Sequence, residues 1–222
     1  MQAIVETLFD TVYLISVVTI GILMILKNKG SRQYLLFGIM AVVLGAGDAF
    51  HLVPRAVALC TTGLDNFTRA LGTGKFITSI TMTIFYVLLY YVWRTRYHIM
   101  GQKNITILVY FLSALRIILC LFPQNHWLDG IPSLSWGIYR NIPFALLGIV
   151  IILLFYKSAK EMEDSPFRYM WLTIVLSFGF YIPVVLWADT VPMIGMLMIP
   201  KTCAYVWTVV IGYRTMIREN QE

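Results

Sequence analysis

Seven side chains stand where an apolar sequence offers no obvious use for them: Asp48, His51, Arg55, Arg116, Arg140, Lys201 and Tyr205. Each falls inside or at the edge of a long hydrophobic run. A charge at the middle of a bilayer costs at least ~2.5–3.5 kcal/mol on insertion scales and persists when it is paired or faces a polar cavity. Asp48, His51 and Arg55 are spaced i, i+3, i+7, which sets all three on one helical face. Lys201 has Tyr205 at i+4 and Thr208 at i+7 on its own face. Lying about ten residues into its run, it sits roughly 15 Å deep, near the bilayer midplane. Arg116 is about twelve residues into another run, too deep to reach water comfortably. Arg140 opens a run, Lys75 lies near the start of one, and Asp189 closes one.

The cations Arg55, Lys75, Arg116, Arg140 and Lys201 outnumber the acids Asp48 and Asp189, so a cavity among them is expected to be net positive and to want an anion. Asp48 is the acid deep enough to balance Arg116 and Lys201. The planar forks of Arg116 and Arg140 suit a carboxylate, phosphate or sulfate, with Lys201 at the bottom of the pocket and Asp48 holding the cations in place. Tyr181, Trp187 and Tyr205 would frame the apolar part. The alternative without a ligand is a set of buried ion pairs that fixes helix register.

Transmembrane helices are the elements that must position these groups. Of 222 residues, 59% are hydrophobic and 13% charged, and the mean hydropathy is +0.77, a balance that excludes a soluble domain with a polar surface. Seven apolar runs, near 8–27, 33–54, 70–93, 104–122, 141–157, 168–187 and 191–213, have the length needed to cross the hydrocarbon core. Inside it a helix satisfies its own backbone donors and acceptors. The expectation is therefore an all-α integral membrane protein, a single seven-transmembrane helix bundle over residues 1–222. Alternate connections and the tail, from Lys27, Lys29 and Arg32 to Arg214 and Arg218, hold 11 of the 17 Lys and Arg residues. Basic residues near span ends mark the cytoplasmic side, which predicts an outside N-terminus, a cytoplasmic C-terminus and a multi-pass protein of the cell membrane.

The net charge of +6 is interleaved with the spans and forms no surface stripe, so the lipid bilayer, and no nucleic acid, is the expected partner. The N-terminal segment carries Glu6 and Asp10 and lacks a basic start and a small-residue cleavage signature, so it reads as a retained first span. With only three histidines, and His98 near the opposite side from His51 and His126, neither a metal nor any other cofactor is expected. Cys60 and Cys120 fall near outer helix ends and could in principle pair, but a buried small apolar role is expected of each. Residues 123–140 form the longest connection, and its Trp127, Trp136 and Tyr139 predict an interfacial lid. Pro183, Pro192 and Pro200 predict kinks, and Gly45, Gly47, Gly72 and Gly74 predict close helix approach. No internal repeat of the kind many secondary transporters carry is evident.

The segment Gly45-Ala46-Gly47-Asp48-Ala49-Phe50-His51 resembles the Gly-x-Gly-Ser-x-x-Phe-His stretch of alkaline ceramidases, which are seven-span zinc amidases. Here Asp48 replaces the serine, the spacing to His51 is one shorter, and span seven lacks the histidine pair that completes the zinc site. Gly47-Asp48 and Asp189 are similar to the aspartates of the lysoplasmalogenase family, and Lys201-Thr202 resembles the Schiff-base Lys-Ser/Thr of animal opsins, though Leu197 stands where microbial rhodopsins carry an aspartate. Each match is confined to a few residues. The leading expectation is a protein that binds or transports an anionic or amphiphilic small molecule, or a lipid headgroup, in an outward-facing cationic cavity. One alternative is an intramembrane lipid-directed hydrolase in which Asp48 or Asp189 activates water and His51 shuttles protons. Another is a seven-helix receptor or sensor.

Overall fold

A computed structural model describes residues 2–129, 133–188 and 190–221. The apolar runs become seven α-helices: α1 (Gln2–Leu26), α2 (Arg32–Cys60), α3 (Thr68–Arg96), α4 (Lys103–Leu121), α5 (Leu134–Glu161), α6 (Met170–Trp187) and α7 (Met198–Glu219). All seven are long and apolar enough to cross a membrane, α7 together with most of the turn that leads into it. Among the described residues there is no β-strand, and the chain is an integral, multi-pass membrane protein. Consecutive helices pack against one another, α1 closes the ring on α7, and α3 and α2 reach inward to α5 and α7. The N-terminal end of the bundle gathers the start of α1, the end of α2, the start of α3 and the α4–α5 connection. The opposite end gathers the ends of α3 and α7 with the α5–α6 connection.

Several helices outrun the expected spans. α2 continues to Cys60 because Pro54 occurs where the helix is already held against α1 and α3. A proline cannot donate to the carbonyl four residues back, so the Phe50 carbonyl loses its helical partner. It faces Gly74 of α3, where a Cβ would run into that carbonyl and the His51 backbone. Gly47 likewise meets Thr81, while Gly45 faces Val18 of α1 and Gly72 faces the Trp127 carbonyl. Close approach at all four glycines is as the sequence predicts, and it is distributed over three seams: α1 with α2, α2 with α3, and α3 with the α4–α5 connection. Gly74→Ala meets backbone that cannot swing aside, so it is expected to destabilise the protein in detergent by about 1–3 kcal/mol, read as a lowered thermal midpoint.

α5 begins at Leu134, seven residues before its expected start, with Ser133 as N-cap accepting from the Trp136 amide. Trp136 and Tyr139 therefore belong to the first turns of α5 and not to a lid, and Trp136 stacks on Phe122 at 5.1 Å. What remains of the connection folds over the start of α3 through Trp127, which lies 5.8 Å from Phe76 and donates to the Cys120 carbonyl at 2.9 Å. Pro192 opens a 3₁₀ turn, Pro192–Leu197, and Pro200 sits in the first turn of α7, where no backbone donor is lost. Pro183 alone of these three lies beyond the first turn of an α-helix. Cys60 is exposed, against the expectation of burial, Cys203 is exposed as well, and all three cysteines are free thiols, with only Cys120 buried.

At the opposite end, Arg96 joins three elements. Its Nε and Nη2 donate to the two Asp164 oxygens at 2.9 Å each, and Nη1 donates to Glu219, which also accepts from Tyr34. Lys29 donates to the Asn220 carbonyl at 2.7 Å. Arg96→Met removes one partner from two carboxylates at once. It is expected to cost about 1.5–3 kcal/mol, seen as a lowered midpoint that Arg96→Lys restores only in part, because an ammonium does not reproduce the bidentate fork.

Candidate functional site

α7 buries one face along Lys201, Ala204, Tyr205, Thr208, Val209 and Gly212, which recur in the i, i+3, i+4, i+7 pattern of a single helical face. The polar stripe read from the sequence is therefore turned into the bundle. Thr208 is held by a bond to Thr173 of α6 at 2.8 Å. Lys201 is 7% exposed, with Nζ 4.9 Å from the Tyr181 ring and 5.3 Å from the Tyr205 ring.

α4 buries Val109, Leu112, Ser113, Arg116 and Cys120 by the same spacing. Arg116 is 2% exposed and its Cζ lies 3.2 Å from the Phe144 ring centroid on α5. Nε and Nη1 are buried with no hydrogen-bond partner. Phe144 is fixed by edge and tilted contacts with Tyr86 at 5.1 Å, Phe178 at 5.0 Å and Tyr181 at 6.2 Å. Tyr181 in turn donates to Asn141 at 3.0 Å. A guanidinium stacked on a ring is attracted by its quadrupole, but stacking offers no acceptor for the N–H groups in the ring plane's surroundings.

Asp48 accepts from the Tyr13 hydroxyl at 2.6 Å, and Lys201 is the cation that acts on it most strongly, without a direct ion pair. Arg116 acts on Lys201 in turn. Asp48, Lys201 and Arg116 thus form a row from α2 through α7 to α4, with two positive charges and one negative.

The other expected members occupy different places. Arg55 shares the Asp48 side of α2 but is taken by Glu6 of α1 in an ion pair, so its charge is already answered. His51 lies on the α2–α3 seam, its Nδ1 3.3 Å from the Leu71 carbonyl. Arg140 is half-buried nearer the N-terminal end, donating to Asn125 at 2.7 Å and lying 4.3 Å from the Trp127 ring. Tyr181 and Cys120 lie within electrostatic reach of both Arg116 and Arg140, and the Cys120 side chain is bonded to Arg116. Lys75 is exposed and Trp187 is 51% exposed, so neither is an embedded part of the cluster. Asp189 lies outside the described residues, and with it the carboxylate pair that the hydrolase alternative requires.

Sequence reading missed Tyr13, Phe144 and Asn125. Asn125 is 3% exposed, and its amide donates to the Leu119 and Phe122 carbonyls at 2.8 Å each, closing the end of α4 while its own oxygen receives Arg140. The Pro123-Gln124-Asn125 sequence after an apolar run is the available signal for such a helix stop. Among the described residues no group of three His, Cys, Asp or Glu side chains is arranged to hold a metal. Two surface cavities of about 360 and 380 Å³, one lined by Tyr156, Lys160, Arg168 and Trp171 and one by Lys27, Lys29 and Met216, lie at the opposite end and touch none of the site residues. The cationic row is enclosed by aromatic rings.

Fold and site together define a seven-helix multi-pass membrane protein with a buried, charge-imbalanced row at its centre. Comparison of the chain with protein-family models, curated proteins and solved structures finds no match.

Proposed function

We propose that this protein binds or carries an anionic or amphiphilic small molecule whose negatively charged group sits against Arg116 and Lys201. The observation that supports the reading most is the Arg116 guanidinium, 2% exposed and with Nε and Nη1 unanswered. Two buried guanidinium N–H groups without acceptors are costly for a fold to keep, even with the Cys120 side chain bonded to the same guanidinium, and an anion would supply both the counter-charge and the missing acceptors. Arg140, half-exposed toward the N-terminal end, extends the set of cations to that side, with Asn125 and Trp127 orienting it. In this reading Asp48 faces Lys201 from behind and keeps it in place, and Tyr205 and Tyr181 form the apolar walls. The N-terminal end is the outer one, by the distribution of Lys and Arg over the connections.

The test is mass spectrometry, native and after organic extraction, of protein purified in a mild neutral detergent. Wild type is expected to carry a specific anionic species, and Arg116→Met and Lys201→Met to have lost it. An empty wild type, or the same species at the same occupancy in Arg116→Met, rejects the reading.

A further inference from the structure

We propose that the cavity at the α5–α6 corner binds the phosphate group of a membrane phospholipid, at a site separate from Arg116 and independent of the ligand assigned there. The cavity, about 360 Å³, lies between the end of α5 and the approach to α6, and its volume is in the range of small-ligand sites. Lys160, Ser165 and Arg168 bring donors to it. Among the described residues Lys160 and the Ser165 hydroxyl make no hydrogen bond or ion pair. Arg168 engages only Nη2, which donates to the Tyr169 hydroxyl at 2.6 Å while Cζ lies 4.7 Å from that ring. Its Nε and Nη1 stay available. Neighbouring basic groups are taken: Arg96 by Asp164 and Glu219, Arg94 by Thr106 and two carbonyls, and Lys157 by Glu161 at 3.8 Å. Asp164 also lines the cavity, but both of its oxygens accept from Arg96. Glu163 is the other acid on the rim, and it is exposed, where water screens its repulsion of a phosphate.

The order of side chains along both helices matches that of a phospholipid. On α5, Ile149, Leu153, Tyr156 and Lys160 are spaced i, i+4, i+7, i+11, so they share one face, and all four are exposed. From the level of Ile149 to that of Lys160 is roughly 16 Å, about the hydrocarbon depth of one leaflet. Trp171 and Val175 follow Arg168 at i+3 and i+7 and give the same order on α6: cation, aromatic, aliphatic. Tyr156 and Trp171 meet edge to face at 5.3 Å between the cations and the aliphatic residues, at the level where aromatic rings sit in a membrane interface. Basic pockets between transmembrane helices hold lipid headgroups in this way. Free phosphate would use the cations and leave the apolar faces beneath them without a part. A cation near a span end also serves topology, but Lys157 does that equally well and does not line the cavity.

The experiment titrates full-length, delipidated protein in a mild neutral detergent with phosphatidylglycerol, phosphatidylethanolamine, diacylglycerol of the same chains, and inorganic phosphate, read by native mass spectrometry. Wild type is expected to retain one phospholipid saturably, about tenfold or more tightly than diacylglycerol. Lys160→Gln should weaken that retention, and Lys160→Gln with Arg168→Gln should abolish the preference, while Lys157→Gln and Arg116→Met keep it. Retention of either phospholipid upholds the phosphate site, and a preference for phosphatidylethanolamine adds Glu163 as the acceptor of its amine. Diacylglycerol held as tightly as the phospholipids overturns the proposal. So does a loss in Lys157→Gln equal to that in Lys160→Gln, which would mean surface charge and no defined site. Saturable inorganic phosphate with no phospholipid retained overturns the lipid source, and a wild type that retains none of the four overturns the site. Phospholipid lost in Arg116→Met but kept in the double variant assigns the lipid to the Arg116 site and overturns this one.

Discussion

Replacing Arg116 by methionine is expected to raise the stability of the ligand-free protein while abolishing anion binding. The two effects come from one atom arrangement. Arg116 sits on the Phe144 ring at 3.2 Å, in a place only 2% exposed, with two of its nitrogens unanswered. Methionine retains an unbranched chain and a polarizable end that packs favourably on an aromatic ring. It removes the desolvated charge, and exchanging buried ionic groups for apolar ones of similar volume is neutral or stabilising by about 1–4 kcal/mol. Thermal unfolding in detergent, after exchange into anion-depleted buffer, should show a midpoint at or above that of wild type, and addition of the preferred anion should raise the midpoint of wild type alone. A midpoint well below wild type without anion would mean that Arg116 serves the packing of α4 on α5. It would remove the main reason to assign it a ligand. Arg116→Lys separates the two contributions of the guanidinium: the charge stays, but the flat fork that lies on Phe144 and presents several donors is lost.

The elements were more legible in the sequence than the site, for physical reasons that differ by residue. Spans announce themselves because a bilayer demands about twenty apolar residues in a row, and all seven appear as helices. Their ends are less visible, since Trp136 and Tyr139 suit a membrane interface equally well in a loop or in a first helical turn. Only the Ser133 cap distinguishes the two. The stripe of Lys201, Tyr205 and Thr208 was readable from helical periodicity alone, because its members share one helix. Arg55 is an available cation in the sequence and not in the fold, because its partner, Glu6, lies on another helix and 49 positions away. The i, i+3, i+7 spacing of Asp48, His51 and Arg55 fixed a common face of α2 without saying that Asp48 and Arg55 would meet α1 and His51 would meet α3. Phe144 had no sequence signal, since a phenylalanine in an apolar span acquires its role only from the guanidinium placed on it.

The second large effect is expected at Asp48. Asp48→Ala deletes the acid that faces Lys201 and leaves the Tyr13 hydroxyl, now paired at 2.6 Å, without its acceptor. Leaving a buried hydroxyl without its acceptor typically costs about 1–3 kcal/mol, and more when a buried charge loses its counter-charge as well. The variant should therefore unfold at a much lower temperature or fail to accumulate in the membrane. The cause can be isolated with Asp48→Ala combined with Lys201→Met. If the cost arises from an unopposed ammonium, removing that ammonium restores most of the stability, and the double-variant cycle yields a large favourable coupling between the two positions. If the cost arises from the Tyr13 hydroxyl or from a cavity, the second substitution adds its own penalty and the coupling vanishes. Tyr13→Phe measures that hydroxyl contribution separately, at about 1 kcal/mol. A large coupling between Asp48 and Lys201, with Arg116→Met tolerated, would establish that one of the two buried cations is answered within the fold and the other is left for an anion from outside.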